Sequence, residues 1–155
     1  MEFILGIRVE PKAVSYAILK EEDGQYEIEQ IDVIKIPAAL RVPEQLKYVR
    51  NTILDIVEQN HITQAGIRVA EGNSQNMDLN RIYIEGVIQE SFSSCNVKNY
   101  FIGRKISISS RLNIDCKAYD DYVSGRSDFT LVNNWDQATN NNKREATLVA
   151  MGVIR

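Results

Sequence analysis

The chain has 155 residues, 44% of them hydrophobic and 25% charged, and this composition excludes a disordered or fibrous protein. A chain of this length is predicted to form one domain, residues 1–155. Its 18 Lys and Arg residues stand against 21 Asp and Glu residues, so the net charge of −3 excludes the overall basic character of many nucleic-acid-binding proteins. A local basic patch remains open.

The number and spacing of cysteine and histidine residues indicate whether the chain binds zinc and in which cellular compartment it is expected. Cys95 and Cys116 lack CxxC spacing and His61 is the only histidine, so zinc binding is not predicted. A reducing cytoplasm is the expected location, with a structural disulfide as the alternative. No apolar run reaches the roughly 20 residues that a membrane span needs. Glu2 beside a short apolar run argues against a signal peptide.

The first sixty residues predict an antiparallel meander followed by a helix. Three apolar, β-branched runs are separated by turn sequences, as in consecutive hairpins: 3–9, 13–20 and 26–36. Apolar residues with helical spacing then begin near Pro43 and end near Asn60. Together these patterns predict three strands and one helix.

The rest of the chain alternates between strands and helices before a variable region. The predicted elements are a strand at 64–70, a helix at 77–91, a strand at 96–101, a short helix at 104–111 and a closing helix at 143–155. The apolar face of the 77–91 helix is predicted from Leu79, Ile82, Tyr83, Gly86, Val87 and Phe92. Gly86 costs a helix about 1 kcal/mol relative to alanine, which predicts close packing there. Residues 113–142 are polar and are predicted to be irregular.

Four stretches resemble the RuvC family of Holliday junction resolvases, over nearly the whole length of the chain. They are ILGIRVEPKAVSYAIL, PEQLKYVRNTILDIVEQNHITQAGIRVAEG, LNRIYIEGVIQESF and EATLVAMGVI. The resemblance implies an α/β, RNase H-like (RuvC-like) fold. Its mixed five-stranded sheet would combine a three-stranded antiparallel meander with parallel strands, flanked by helices.

The resemblance also implies a catalytic site that this chain does not retain. RuvC resolvases cleave phosphodiesters with four acidic residues and bound metal, and the matching positions here are Arg8, Arg68, Asn142 and Glu145. Only Glu145 is acidic, and each arginine places a permanent positive charge where Mg²⁺ would bind. We therefore predict a vestigial, non-catalytic site that holds no metal and no cofactor.

Two partly buried guanidinium groups on neighbouring strands need anions nearby. We expect Arg8 and Arg68 to form an internal ion-pair network with Glu145, and with Glu10 and Glu71 as the other candidate anions; a phosphate-binding pair is the alternative. The three glutamates could instead be relocated ligands for Mg or Mn, which would preserve a nuclease. Acidic pairs at the ends of strands are common, so the ion-pair interpretation is favoured.

The most basic local stretch is a candidate nucleic-acid-binding surface: Lys98, Arg104, Lys105 and Arg111, with Tyr100 and Phe101 interleaved. Ordinary solubilising charge at a strand end is the alternative. The polar region 113–142 contains four aromatic residues: Tyr119, Tyr122, Phe129 and Trp135. They would either anchor that region to the body of the domain or form a surface that docks a partner.

The favoured function is a binding or scaffolding subunit, in a nucleic-acid-related complex, that keeps the fold without the catalysis. The expected partners are another protein, a second copy of the chain or a branched nucleic acid, since resolvases of this family act as symmetric dimers on four-way junctions. The main alternative is a metal-dependent, structure-specific nuclease. A subunit of a larger nucleic-acid-processing or defence assembly is a third interpretation, which differs from the first in its partner.

Overall fold

A six-stranded mixed sheet forms the centre of the protein, whose computed structural model describes residues 1–72 and 75–155. The strands are β1 Glu2–Val9, β2 Ala13–Glu22, β3 Gln25–Lys35, β4 Gln64–Arg68, β5 Asn99–Gly103 and β6 Val132–Asn133. The helices are α1 Val42–Gln59, α2 Leu79–Ser93, α3 Lys105–Leu112, α4 Cys116–Ser124 and α5 Asn141–Ile154. The order across the sheet is β5-β4-β1-β2-β3-β6. This arrangement confirms the predicted meander with parallel strands added beside it.

Helices cover both faces of the sheet, so its central strands are apolar on both sides. On one face, α1 and α2 bury a cluster of side chains against β1, with Leu5, Ile53 and Ile88 among its members. On the other face, α5 runs across β1 and β4, and α3 and α4 pack beside it. Because side chains alternate along a strand, Ile4, Gly6 and Arg8 all point toward the α5 face.

Two glycines let α5 lie directly on the sheet. Gly6 and Gly66 are paired in register on β1 and β4. A Cβ atom added to Gly6 would lie 1.9 Å from the backbone oxygen of Ala146, and one added to Gly66 would lie 2.9 Å from the backbone oxygen of Val149. Any side chain at either position would therefore push the helix away from the two strands.

The predicted count of five strands is wrong by one, because β6 adds a sixth. β6 has only two residues, which pair in parallel with Tyr26 and Glu27 at the edge of β3, and so short a strand has no readable periodicity. Next to it, the side-chain amide of Asn134 accepts from the backbone N–H of Ile28 and donates to the carbonyl of the same residue. This side chain thus occupies the place of one more strand residue.

The region from 113 to 142 has more regular structure than its composition predicts. It contains α4, β6 and a short 3₁₀ turn at Trp135–Gln137. The side chain of Asp115 caps the first turn of α4 and Gly125 ends this helix with a positive φ of 81°. Polar caps and short elements explain why this stretch looks irregular in sequence.

The predicted apolar face of α2 is wrong. Of the six residues assigned to it, Phe92 alone is buried, while Leu79 is 63% exposed and Tyr83 is 47% exposed. The buried side of α2 instead carries Ile84, Glu85 and Ile88, together with Phe92. The buried side includes the charged residue Glu85, so the apolar pattern of the sequence does not reveal it. Gly86 is not closely packed either, since a Cβ atom added there would meet no atom of the described residues within 4 Å.

Both cysteines carry free thiols, so the alternative of a disulfide between Cys95 and Cys116 is not observed. In the described ranges 1–72 and 75–155, no helix has both the length and the apolar character that crossing a bilayer requires.

Candidate functional site

The site predicted from the four matching positions lies at the carboxyl ends of β1 and β4. Arg8 and Arg68 are direct neighbours in the parallel register of these strands. Each follows a glycine by two residues, so both side chains point to the α5 face, where Gly6 and Gly66 have admitted the helix. The two guanidinium groups therefore project toward the first turns of α5.

Glu145 on α5 binds both arginines. Its Oε1 lies 3.2 Å from Nε of Arg8, and its Oε2 lies 2.9 Å from Nε of Arg68. The hydroxyl of Tyr119, on α4, donates to the same Oε2 at 2.6 Å. Both carboxylate oxygens are thus engaged by side chains from three different elements, in a place where Glu145 is only 8% exposed.

Arg68 is fully committed within this network. Its Nη2 forms an ion pair with Glu71 at 3.1 Å, its Nη1 donates to the carbonyl of Val69, and Tyr119 Oη lies 3.2 Å from its Nε. Burial opposes the charged form of Arg68, but Glu145, Tyr119 and Glu71 outweigh burial and raise its pKa. Arg68 is a structural cation.

Arg8 is less well satisfied. Its Nη1 donates to the carbonyl of Arg68 at 3.2 Å, but its buried Nε has no hydrogen bond of good geometry, although Glu145 lies near it. Burial lowers the pKa of Arg8, and the positive charges of Arg68 and Arg81 lower it further against the attraction of Glu145. The guanidinium group remains charged, since arginine does not deprotonate in proteins.

A second ion pair beside the first escaped the sequence analysis. Glu85 on α2 accepts from the backbone N–H of Ala70 at 2.9 Å and lies 3.4 Å from Nε of Arg81. Burial raises the pKa of the Glu85 carboxyl, although Ala70, Arg81, Arg8 and Arg68 all oppose that shift. The i,i+4 spacing of Arg81 and Glu85 was the available sequence signal, and it indicates an exposed helix pair as readily as a buried one.

The remaining predicted positions have different fates. Glu71 belongs to the network, and its Oε1 also accepts from the backbone N–H of Lys105 at 3.2 Å. Glu10 accepts from the hydroxyl of Ser15 at 3.1 Å and, within the described chain, forms no ion pair with either arginine. The expectation that Glu10 joins the network is therefore wrong. Asn142 lies in the first turn of α5, one turn before Glu145.

The residues present do not fit a divalent cation. In residues 1–72 and 75–155, no group of three or more His, Cys, Asp or Glu side chains is placed to hold a metal ion. The carboxylate that the resemblance retains, Glu145, is covered by Arg8, Arg68 and Tyr119. A cation at this position would have to displace two guanidinium groups.

The four predicted nucleic-acid-binding residues do not form one patch. Lys98 lies just before β5, whereas Arg104 and Lys105 follow it, roughly 20 Å away at about 3.3 Å per strand residue. Lys105 pairs with Asp120 at 2.8 Å, and Arg104 donates to the carbonyl of Ala70. Arg111 lies 3.9 Å from the centroid of the Phe101 ring and donates to the carbonyl of Gly152. Three of the four side chains therefore have structural contacts.

The aromatic residues of the 113–142 region anchor it to the body of the domain. The rings of Tyr122 and Phe129 meet edge to face with centroids 5.1 Å apart, and Phe129 and Trp135 are 5.8 Å apart. Phe129, Trp135 and Tyr119 are all buried in the cluster under α5. The sequence prediction missed the hydroxyl of Tyr119 as a partner of Glu145, because nothing in the sequence places α4 beside α5.

An open groove lies on the opposite face of the sheet, between α2 and β5. Its volume is about 280 Å³, and residues that line it include Val69, Met77, Ile82, Gly86, Ile102 and Arg104. Tyr83 on the outer side of α2 and Tyr100 on β5 are both about half exposed, at 47% and 52%. This surface, called the α2–β5 groove below, is accessible and mixes apolar side chains with the polar side chains of Glu85, Gln89 and Arg104.

No protein-family model and no curated protein matches the sequence. Solved structures do match it. RuvC of Thermus thermophilus is similar with a TM-score of 0.74 and 10% identity, over 97% of this chain and 92% of that chain. The same protein in complex with a Holliday junction substrate matches with a TM-score of 0.72 and 10% identity, over 97% of this chain and 91% of that chain. The fowlpox virus resolvase in complex with Holliday junction DNA matches with a TM-score of 0.56 and 9% identity, over 96% of this chain and 95% of that chain.

Structural similarity at about 10% identity carries the fold and leaves the activity open. The match extends over nearly the whole chain. It confirms the resemblance found in the sequence, and the chain has the RuvC-type, RNase H-like fold of the Holliday junction resolvases.

Proposed function

We propose that this protein is a non-catalytic binding or scaffolding subunit that keeps a RuvC-type fold after loss of the metal-dependent nuclease site. One observation carries the proposal: Glu145 is clamped between the guanidinium groups of Arg8 and Arg68, at 3.2 and 2.9 Å. Metal-dependent cleavage of a phosphodiester requires anionic oxygens that are free to hold cations next to the reacting phosphate. Here the anion is consumed by internal ion pairs, so the site acts as a link between the sheet and α5.

The test is an assay for cleavage of labelled four-way-junction, duplex and single-stranded DNA in manganese, with the Glu145→Gln variant run in parallel. The expected result is no cleavage of any substrate by either protein. Cleavage by the natural chain that the variant lacks would overturn the proposal and favour the alternative, a nuclease with relocated ligands among Glu10, Glu71 and Glu145.

A branched nucleic acid is the first partner to test, because the similar RuvC and fowlpox resolvase structures include complexes with Holliday junctions. Binding would rest on phosphate contacts rather than on overall charge, since the chain carries a net charge of −3. We expect junction DNA to bind more tightly than duplex of the same length, with affinity falling as salt rises. Equal, weak binding of junction and duplex would argue for a protein partner instead.

A protein partner is best accommodated by the α2–β5 groove, and a second copy of the chain is the first candidate. Gly86 lowers the stability of α2 by about 1 kcal/mol, and no packing within residues 1–72 and 75–155 explains it. A glycine on an open helix face lets another backbone approach closely, and Leu79 and Tyr83 add exposed apolar surface beside it.

Self-association through this groove can be measured by light scattering after gel filtration across a concentration series. We expect a dimer for the natural chain and a monomer for the double variant Tyr83→Ser, Gly86→Lys. Tyr48→Ser is the matched control, because Tyr48 is similarly exposed (40%) but lies on α1. A monomer at every concentration would leave a different protein as the partner.

A further inference from the structure

The two edges of the sheet differ in how well they are covered. β5 is the last strand on its side, and within residues 1–72 and 75–155 no strand pairs with its outer edge. At the opposite edge, β6 and the side-chain amide of Asn134 cover part of β3. An uncovered edge presents backbone groups that can pair with another strand. The outer edge of β5 is therefore a place where a strand can be added.

The backbone groups that face outward belong to Tyr100 and Ile102. The carbonyl of Gly103 accepts from the N–H of Val69 at 3.0 Å, so Gly103 directs its backbone groups toward β4. Successive residues of a strand direct these groups to opposite sides, so Ile102 faces outward, and so does Tyr100 two residues earlier. Within the described ranges, no loop or side chain forms a hydrogen bond with the N–H or the carbonyl of either residue. Two donors and two acceptors are thus available.

The side chains of the same two residues are exposed as well. Tyr100 is 52% exposed and Ile102 is 37% exposed. Phe101, between them, is buried in the cluster under α5, so its two neighbours point to the α2 face. A strand added beside β5 would pair with the outward backbone groups and would also cover these apolar side chains. Strand addition gains its affinity from the backbone hydrogen bonds and its specificity from the side chains.

Both ends of this edge carry an uncompensated positive charge. Lys98 precedes β5 and Arg104 follows it, and both residues are exposed. Among the described residues, neither side chain forms an ion pair. The chain as a whole has a net charge of −3, so the positive charge is a local property of this edge. Charge complementarity therefore favours an acidic partner.

The same charges disfavour a second copy of the chain at this edge. Two copies related by a two-fold axis would pair their β5 strands antiparallel. If Tyr100 of one copy lay opposite Ile102 of the other, Lys98 of each copy would lie opposite Arg104 of the other. Like charges directly opposite each other destabilise a sheet. A strand with acidic ends would gain from the charges that repel a second copy.

We infer that the outer edge of β5 binds an extended, acidic segment of a partner protein, which joins the sheet as a further strand. The inference goes beyond the proposed function, because strand addition at β5 does not depend on whether the chain cleaves DNA. It is also separate from the self-association proposed above. That contact uses the exposed side of α2 with Tyr83 and Gly86, whereas strand addition uses the backbone of β5.

The spacing of the two charges defines the length of the segment. Lys98 and Arg104 are six positions apart, which is about 20 Å along an extended strand at about 3.3 Å per residue. A segment of about seven residues with a carboxylate at each end matches this spacing in either direction. Between the carboxylates, β-branched residues favour the extended conformation.

The probe is a capped heptapeptide, Glu-Val-Thr-Val-Thr-Val-Glu, titrated into nitrogen-15-labelled protein and followed by NMR. We expect the amide signals of Tyr100 and Ile102 to shift most and their hydrogen exchange to slow, because these N–H groups gain acceptors. One matched peptide has lysine in place of both glutamates, and another carries N-methyl groups on its five central amides. Each should bind at least about tenfold more weakly, since one loses the charge attraction and the other the backbone donors.

Two substitutions at Tyr100 separate the backbone from the side chain. Tyr100→Pro and Tyr100→Ala both remove the ring, but proline alone removes the outward N–H, and an edge strand tolerates proline at such a position. We expect Tyr100→Pro to bind the acidic peptide about tenfold more weakly than Tyr100→Ala. Lys98→Gln should also weaken binding. Lys47→Gln, at an exposed lysine on α1, is the matched control and should leave binding unchanged.

Melting temperatures show which variants fold, and Lys98→Gln keeps the test valid if Tyr100→Pro does not. The inference is overturned if the acidic peptide leaves the β5 amide signals unchanged, or if the lysine peptide binds equally well. Shifts of these signals when the protein alone is concentrated would identify a second copy as the occupant, and shifts caused by single-stranded DNA but not by the peptide would identify a nucleic acid. Either result would also overturn it. Failure of the proposed function has a different signature, which is cleavage of DNA in manganese.

Discussion

The two faces of the sheet differ in how they use their polar and apolar groups. On the α5 face, the carboxyl ends of β1 and β4 are closed by Arg8 and Arg68, which both bind Glu145. On the opposite face, the α2–β5 groove leaves apolar side chains and an unpacked glycine exposed. The difference teaches that the charged side chains on the α5 face form an internal support, while the opposite face leaves accessible surface. A partner is therefore better sought at the groove than inside the network.

The largest expected effect is the loss of the central carboxylate. Glu145→Gln should lower the free energy of unfolding by about 3–5 kcal/mol, because it leaves two buried guanidinium groups without their shared anion. Urea denaturation measures this change. Glu90→Gln, which breaks an exposed ion pair with Arg50, is the control and should change stability far less. Similar losses in both variants would mean that the network is not a support.

A pair of glycine variants compares the two faces directly. Gly6→Ala should destabilise the protein by about 3 kcal/mol, since the added Cβ would lie 1.9 Å from the backbone oxygen of Ala146. Gly86→Ala should instead stabilise it by about 0.5–1 kcal/mol, because that position is open and alanine favours helix. Thermal unfolding of dilute protein gives both values. A destabilising Gly86→Ala would indicate a packing contact already present in the folded chain.

Removing the Tyr119 hydroxyl tests one bond of the closed network. Tyr119→Phe should lower the free energy of unfolding by about 2 kcal/mol, as expected for a buried hydrogen bond to a charged group. Tyr122→Phe, a neighbour whose ring packs on Phe129, is the matched control for loss of a hydroxyl. If both variants lose the same amount, the bond to Glu145 contributes nothing specific.

The smallest effect concerns pH. Burial raises the pKa of Glu85 above its ordinary value of 4.5, so the folded state holds this proton more tightly than the unfolded state. Its contribution to stability is then greatest at low pH and falls as pH rises from the unfolded pKa through the folded one. The stability of Glu85→Gln relative to the natural chain should therefore improve between pH 4 and pH 7. A constant difference across that range would contradict the raised pKa.

The parts of the fold that were predicted correctly from the sequence have a clear hydrophobic periodicity or a clear turn sequence. β1, β2 and β3 combine apolar runs with short turn sequences. The pairing of Arg8 with Arg68 was predicted because the strands that carry them match adjacent strands of the RuvC resolvases. The closing helix carries a largely apolar run behind an asparagine cap. In these segments local preference and tertiary packing favour the same structure.

The sequence predictions failed where contacts between residues distant in sequence determine the structure. The buried side of α2 includes Glu85, which is stabilised there by the N–H of Ala70, a contact invisible to helical periodicity. β6 exists because a loop happens to reach the edge of β3. Tyr119 meets Glu145 because α4 packs against α5. A polar residue on a buried face defeats pattern analysis because its partner is remote in sequence.

The amide of Asn134 has a consequence for the behaviour of the protein at high concentration. It satisfies both backbone groups of Ile28 at the margin of the sheet, next to the two residues of β6. An unsatisfied margin is where foreign strands add and where fibrils begin. One side chain, at a residue with a left-handed φ of 56°, thus shields part of the β3 margin from the addition of another strand.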